Sequence, residues 1–439
     1  MQVDKTTLTD LSIFHRDEEQ SVFHHLNFTH TNGGREYFRY LLGTPLNSIA
    51  SIQDTQKTIQ ILQSLQAAWP LTQVTNGSIM VLEKYYETPM EEYPKQPSFF
   101  NSLFYKYIHS PDYSITKYTV EHTIEFLKGM DKIVQLFSAI PLSKQLQIWY
   151  ESMEHLLSKT SLKDMMQVAK GTELSPQRIL EYGIFLRHHF KRASNDLIET
   201  FFKLDAYMSM AIACEKFQFS FPTFEASEQP FVETSGLYHL LLPTPVAYDT
   251  KLDISRNFIF LTGANMGGKS TYIKAVGLSV YLAHLGMGVP ARNMRLSLFH
   301  GLLSNIQVED NLFKGESYFF NEVQRIKKTL EKISDGNNWL ILIDELFKGT
   351  NIQDAMKCST AVIEGLRKMK KSLFILSTHL YEIGEGLKQY PNIQFRYFET
   401  SMENDQLEFS YQLKEGISND RIGYLILKRE GVTDILDKL

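Results

Sequence analysis

The stretch Thr262-Gly263-Ala264-Asn265-Met266-Gly267-Gly268-Lys269-Ser270-Thr271 decides the fold of the second half of this chain. Gly263 and Gly268, followed by Lys269 and Ser270, have the spacing of a phosphate-binding loop. Glycines let the backbone turn so that its N–H groups face a β-phosphate, and the positive end of the following helix adds to that attraction. In such a loop Lys269 bridges the β- and γ-phosphates and Ser270 holds Mg²⁺. Gly263, Asn265, Met266, Gly267, Gly268 and Thr271 complete the cradle. The flanks agree: the apolar run Phe258–Thr262 reads as a buried strand and residues 272–285 as a helix. The ligand this pattern implies is ATP with Mg²⁺, and turnover is the expected outcome.

Moving outward, residues 339–343 and Ser372–Ser377 are two further apolar runs that read as buried strands with helical segments between them. The first ends in Asp344-Glu345. An acid pair delivered by a strand end beside phosphates can hold a metal ion through water (Asp344) and polarise an attacking water (Glu345). The second ends in Ser377-Thr378-His379, which places His379 where it can contact a γ-phosphate. Residues 393–398 and 406–413 flank the polar turn Glu403-Asn404-Asp405, a hairpin candidate. Residues 421–439 read as two short helical pieces around Gly431.

Upstream of about residue 225 helical periodicity dominates. Val120, Ile124, Leu127, Met130, Ile133 and Val134 recur at three- and four-residue spacings and make an apolar stripe. Ser175-Pro176 is a helix start, and helical pattern runs from there to about Glu215, long enough for an extended arm. Breakers at residues 91–97, at Ser110-Pro111 and around Pro222 read as loops. The expected organisation is multidomain, α then α/β, with a helical domain over residues 1–225 and a P-loop domain over residues 226–439.

Composition is that of an ordinary globular protein: 439 residues, 43% apolar, 22% charged, with 29 Phe and 22 Tyr. The formal net charge of -5 argues against a histone-like polycation, although a basic face remains compatible with it. Cys214 and Cys358 are far apart, which speaks for buried thiols rather than a disulfide framework. The start lacks the apolar run of a signal peptide, and no stretch has the ~20 apolar residues of a membrane span. A cytoplasmic protein is expected. The pairs His24-His25 and His188-His189 are adjacent on helices, so neither pair shares a metal easily. Arg187 with Lys191 and Arg192, and Lys368 with Lys370 and Lys371, are candidate contacts for a phosphate backbone, with solvated helix faces the plainer reading.

The loop at 262–271 resembles that of the MutS mismatch-repair ATPases, which usually have proline where Ala264 stands. Gly315-Glu316-Ser317-Tyr318-Phe319-Phe320-Asn321-Glu322 resembles the segment whose serine, here Ser317, reaches the γ-phosphate of the partner subunit's ATP, with Tyr318 in place of the usual threonine. Asp344 to Asn351, followed by Asp354, resembles the family's acidic strand end and dimer-facing loop. Ser377-Thr378-His379 resembles its switch histidine, and residues 416–423 with Gly431 its C-terminal helical dimerisation segment. Residues 26–35, 41–46 and 204–213 resemble, more loosely, the helical core and lever.

The resemblance implies a long-helix core/lever domain followed by an ABC-type P-loop ATPase domain. It implies a homodimer with ATP at composite sites, with Ser317, Glu345 and His379 as catalytic groups and Ser270 and Asp344 at the metal. It also implies a DNA-binding ATPase of DNA repair or recombination. Because the similarity starts within the first thirty residues, no room is expected for mismatch-reading and connector domains. The Phe-x-Glu spacing of the mismatch reader occurs only at Phe231-Val232-Glu233 and Phe320-Asn321-Glu322, in or beside the ATPase part. A β-rich DNA clamp and a nuclease-like tail are not evident either, so a minimal member is expected. Two other classes share parts of this pattern. A nucleotide-switched interaction module with little turnover is opposed by Glu345 and His379. Other ABC-type ATPases carry a Leu-Ser-Gly-Gly-type segment where this chain has Gly-Glu-Ser-Tyr-Phe.

Overall fold

The computed structural model describes residues 1–306, 318–403, 406–418 and 432–436. The chain separates into two compact units. One comprises residues 26–43 and 54–215 and is helical; the other comprises residues 1–25, 44–53 and 216–439 and is α/β.

In the α/β unit the strands are β1 (Gln2–Val3), β2 (Thr223–Glu225), β3 (Val232–Leu237), β4 (Tyr248–Leu252), β5 (Phe258–Thr262), β6 (Asn293–Ser297), β7 (Gly301–Asn305), β8 (Trp339–Asp344), β9 (Ser372–Ser377), β10 (Ile393–Glu403) and β11 (Gln406–Glu415). Seven form one sheet in the order β1-β7-β8-β9-β5-β10-β11, parallel except for the antiparallel pair β10-β11. The central strands are continuous apolar runs buried along their whole length, as a sheet covered on both faces requires. A second sheet has the order β2-β6-β3-β4. The three strands read from apolar runs, β5, β8 and β9, lie side by side, and their carboxyl ends define one rim. The expected hairpin is the β10-β11 pair, with residues 404–405 of its turn outside the described residues.

The first 25 residues were expected in a helical domain. They belong instead to the α/β unit: β1 pairs in parallel with β7, and the adjoining helix Lys5–Asp10 presents Asp10 to the end of β7, where Ser304 Oγ (2.5 Å) and the Ile306 N–H (3.0 Å) donate to it. A strand of two residues carries no periodicity, so only the long-range pairing defines it.

In the helical unit the 29-residue helix Ser110–Ser138 carries the expected stripe: Val120, Ile124, Leu127, Met130 and Ile133 are buried and Val134 is half-buried. Ser110-Pro111 is not a loop. Proline sits in the first turn of this helix, where its missing N–H costs nothing, directly after the helix Phe99–Ile108. Ser175 caps Pro176–Phe185, and a π turn at Leu186–Phe190 leads into Lys191–Lys216, so the long helical run is nearly continuous. Asp205, 1% exposed, accepts the N–H groups of His30 (3.0 Å) and Thr31 (2.8 Å) and the Thr31 hydroxyl (2.6 Å). Gly34 is required there, because a Cβ would fall 2.2 Å from an Asp205 oxygen.

Two of the candidate phosphate contacts are used internally. Arg187 donates to the carbonyls of Tyr85 (2.5 Å) and Thr88 (2.8 Å), and Lys371 donates to the Glu228 carbonyl (2.5 Å). Cys214 is buried and Cys358 half-buried, both as thiols. Among the described residues no helix is long and apolar enough to cross a membrane.

Candidate phosphate-binding site

The loop between β5 and the helix Lys269–His284 is turned by three left-handed residues, Gly263 (φ 132°), Met266 (φ 67°) and Gly268 (φ 106°). At Gly263 the need for glycine is double, since a Cβ would also sit 3.1 Å from the carbonyl oxygen of the buried Phe398 on β10. Asn265 and Met266 are exposed at the loop's crest, Gly267 is buried, and Ser270 and Thr271 open the helix.

Lys269 is folded back onto its own loop. Its ammonium donates to the carbonyls of Gly263 (2.8 Å) and Ala264 (2.9 Å). Burial lowers its pKa, against the opposing pull of Glu345 and Asp344. Ser270 Oγ donates to Asp344 Oδ2 at 2.5 Å, and Ser377 Oγ donates to Asp344 Oδ1. A serine hydroxyl meeting a carboxylate is the hard-oxygen donor set that suits Mg²⁺, which leaves its other positions to phosphate and water.

Glu345 follows directly, in a left-handed conformation (φ 60°) that is uncommon for a residue with a side chain. Its N–H donates to the Ser377 carbonyl at 3.0 Å. One carboxylate oxygen is 2.6 Å from His379 Nε2 and the other 2.8 Å from Lys348 Nζ. Partial burial acts to raise the Glu345 carboxyl. Hydrogen bonds and charge from His379 and Lys348 outweigh it and hold the group at about 2.

Lys269, Ser270, Asp344, Glu345 and His379, chosen from three separate sequence segments, thus meet at the carboxyl ends of β5, β8 and β9. Ser317 lies outside the described residues, as do residues 419–423 and Gly431 of the C-terminal segment. Asp354 accepts from the Asn351 amide (2.6 Å) in the cap of the helix Ile352–Leu366.

Three participants were missed by sequence reasoning. Lys348 lies inside the segment from Asp344 to Asn351, where no role of its own is legible. Tyr411 on β11, 41% exposed and left-handed (φ 52°), brings its ring edge to 3.5 Å from where a Gly268 Cβ would be. Glu322, 3% exposed, accepts from the backbone of the loop after Glu345. Glu322 ends the Phe320-Asn321-Glu322 spacing, which lies in or beside the ATPase part and carries no mismatch-reading role.

A strand, a glycine-turned loop, a helix opening on Lys-Ser and an acid pair at the end of the next strand but one define a P-loop α/β domain. Residues 259–436 match the family described as MutS domain V. Residues 259–436 thus form a domain of the MutS family. The chain is similar to proteins named DNA mismatch repair protein MutS. That of Pseudothermotoga lettingae is 29% identical over 230 residues, 52% of this chain and 28% of the relative. That of Staphylococcus haemolyticus is 29% identical over 269 residues, 58% and 30%. That of Lactococcus lactis subsp. cremoris (strain SK11) is 26% identical over 288 residues, 63% and 34%. The chain therefore spans about a third of the length of these relatives.

Proposed function

We propose that this protein is an ATP-dependent DNA-binding ATPase of the MutS class, acting in the cytoplasm in DNA repair or recombination and hydrolysing ATP at sites shared between two copies of the chain. The observation that carries the nucleotide part is the meeting of Lys269, Ser270, Asp344, Glu345 and His379 at one sheet rim. Gly263 to Thr271 wrap the phosphates, and Lys269 exchanges its loop carbonyls for phosphate oxygens. Ser270 and Asp344 hold Mg²⁺, which supplies charge neutralisation when bound. The exposed face of Tyr411 offers the base a stacking surface beside Gly268.

Glu345 orients the attacking water. With its carboxyl held at about 2 it is a weak base, so it serves as a hydrogen-bond acceptor aimed by His379 and Lys348. His379 sits within reach of Glu345 and reports on the terminal phosphate. Ser317 completes the site of the other copy, as the family resemblance implies. On this reading residues 1–225 supply the core and lever and residues 226–439 the engine.

A second reading, a nucleotide-switched interaction module without mismatch recognition and with little turnover, is favoured by the double pairing of Glu345 with Lys348 and His379. Phosphate release separates the two: steady multiple turnover supports hydrolysis, and tight nucleotide binding without turnover supports the module. Shared sites require rate per subunit to fall on dilution; a constant rate well below the dimerisation constant removes them. For DNA, binding to homoduplex, mismatched and branched DNA across a salt series is the test. A salt-dependent affinity identifies phosphate contacts, and salt-independent or absent binding sinks the DNA reading.

A further inference from the structure

We infer that Glu322 is a positioning residue that sets the geometry of Glu345 from a distance, an inference that rests on the hydrolytic reading above. Glu322 lies on the helix Tyr318–Ile333, and its carboxylate accepts the backbone N–H groups of Lys348 (3.2 Å) and Gly349 (3.3 Å), with that of Phe347 also directed at it. Consecutive N–H groups converging on one carboxylate make an anion nest, here filled by a side chain of the protein itself.

The nest holds an improbable backbone. Glu345 and Phe347 are both left-handed, at φ 60° and 59°, and two such residues in a run of three persist only when their surroundings over-determine them. The same helix supplies a second grip, since Phe319 packs against Phe347 with ring centroids 5.6 Å apart. The held backbone carries Lys348, whose ammonium reaches Glu345 at 2.8 Å. Glu322 thus fixes the loop, the loop fixes Lys348 and the turn at Glu345, and these aim the Glu345 carboxylate.

A glutamine at 322 is nearly the same size, but one of its two oxygens becomes an NH₂ that faces N–H donors. It therefore loosens the nest without opening a cavity. The test is Glu322→Gln, with Glu322→Asp as the charge-retaining variant should the first fail to fold. Phosphate-release kinetics are measured alongside equilibrium binding of a non-hydrolysable fluorescent ATP analogue.

The expected result is a fall in kcat of about 10-fold to 100-fold, the effect of misplacing a reacting group by a fraction of an ångström to an ångström. Affinity for the analogue should stay within about twofold, because the P-loop contacts are untouched. Combining Glu322→Gln with Lys348→Ala should cost less than the product of the separate effects, since both act on one loop. Unchanged kcat in a folded variant, or equal losses in kcat and analogue affinity, overturns the positioning role. A wild-type protein that binds the analogue but releases no phosphate overturns the hydrolytic reading, and the positioning role with it.

Discussion

The P-loop helix Lys269–His284 and the helix Phe99–Ile108 represent opposite solutions for a side chain. In the first, nearly every residue is buried, and even Lys269 is satisfied by two carbonyls. In the second, Phe99, Phe100, Phe104, Tyr107 and Ile108 face solvent, Phe100 at 79% exposure. The α/β unit keeps its polar chemistry at a few positions held by backbone geometry. The helical unit keeps polar groups such as Asp205 for internal ties and leaves large apolar surface outside. Function in the first can be lost through single atoms.

The sharpest way to break this contrast is Lys269→Ala. It should weaken binding of a fluorescent ATP analogue by about 100-fold or more, because a charge-assisted contact to two phosphates disappears. Binding within a few-fold of wild type would show that the loop does not rely on this residue. Glu345→Ala should keep nucleotide bound while lowering phosphate release by about 100-fold; intact turnover removes Glu345 from the chemistry.

A smaller effect, on stability alone, belongs to Asp205→Asn in the helical unit. Leaving buried donors imperfectly paired should cost about 1–3 kcal/mol in urea unfolding, with no change in analogue affinity. Its partner His30 has a pKa raised by the hydrogen bond to Asp205, against the opposing effect of burial. The stability His30 adds is therefore fully present below its ordinary value of 6.5 and lost as pH rises through the higher folded value. His30→Ala should remove that slope, and a slope that survives would have another source. Smallest of all, Phe100→Ser should shift stability by no more than about 0.5 kcal/mol, as expected of a solvent-facing side chain. A larger loss would mean that the aromatic face is covered in the protein in solution.

The same contrast explains what was legible in the sequence. β5 and β9 were readable to the residue because buried parallel strands are unbroken apolar runs, and the glycines and acids beside them have few other uses at that spacing. The stripe on the helix Ser110–Ser138 was readable from its period. Tertiary pairing hid the rest. β1 is two residues long and exists only through β7. Ser110-Pro111 resembles a break, although proline in a first turn is compatible with a helix. Glu322 and Tyr411 lie far in sequence from the segments they touch, and no local pattern marks a carboxylate whose partners are backbone N–H groups.

Lys269 resting on the carbonyls of Gly263 and Ala264 gives ligand uptake the character of an exchange reaction. The lysine gives up two dipoles and receives full negative charge, so the number of hydrogen bonds it makes changes little while the field that holds its charge grows stronger. Its proton, loosened by burial in the resting loop, is held more tightly once a polyanion arrives. Any change in the protonation of Lys269 on nucleotide binding is therefore an uptake, whose sign calorimetry in buffers of different ionisation heat would register as an apparent enthalpy that follows the buffer.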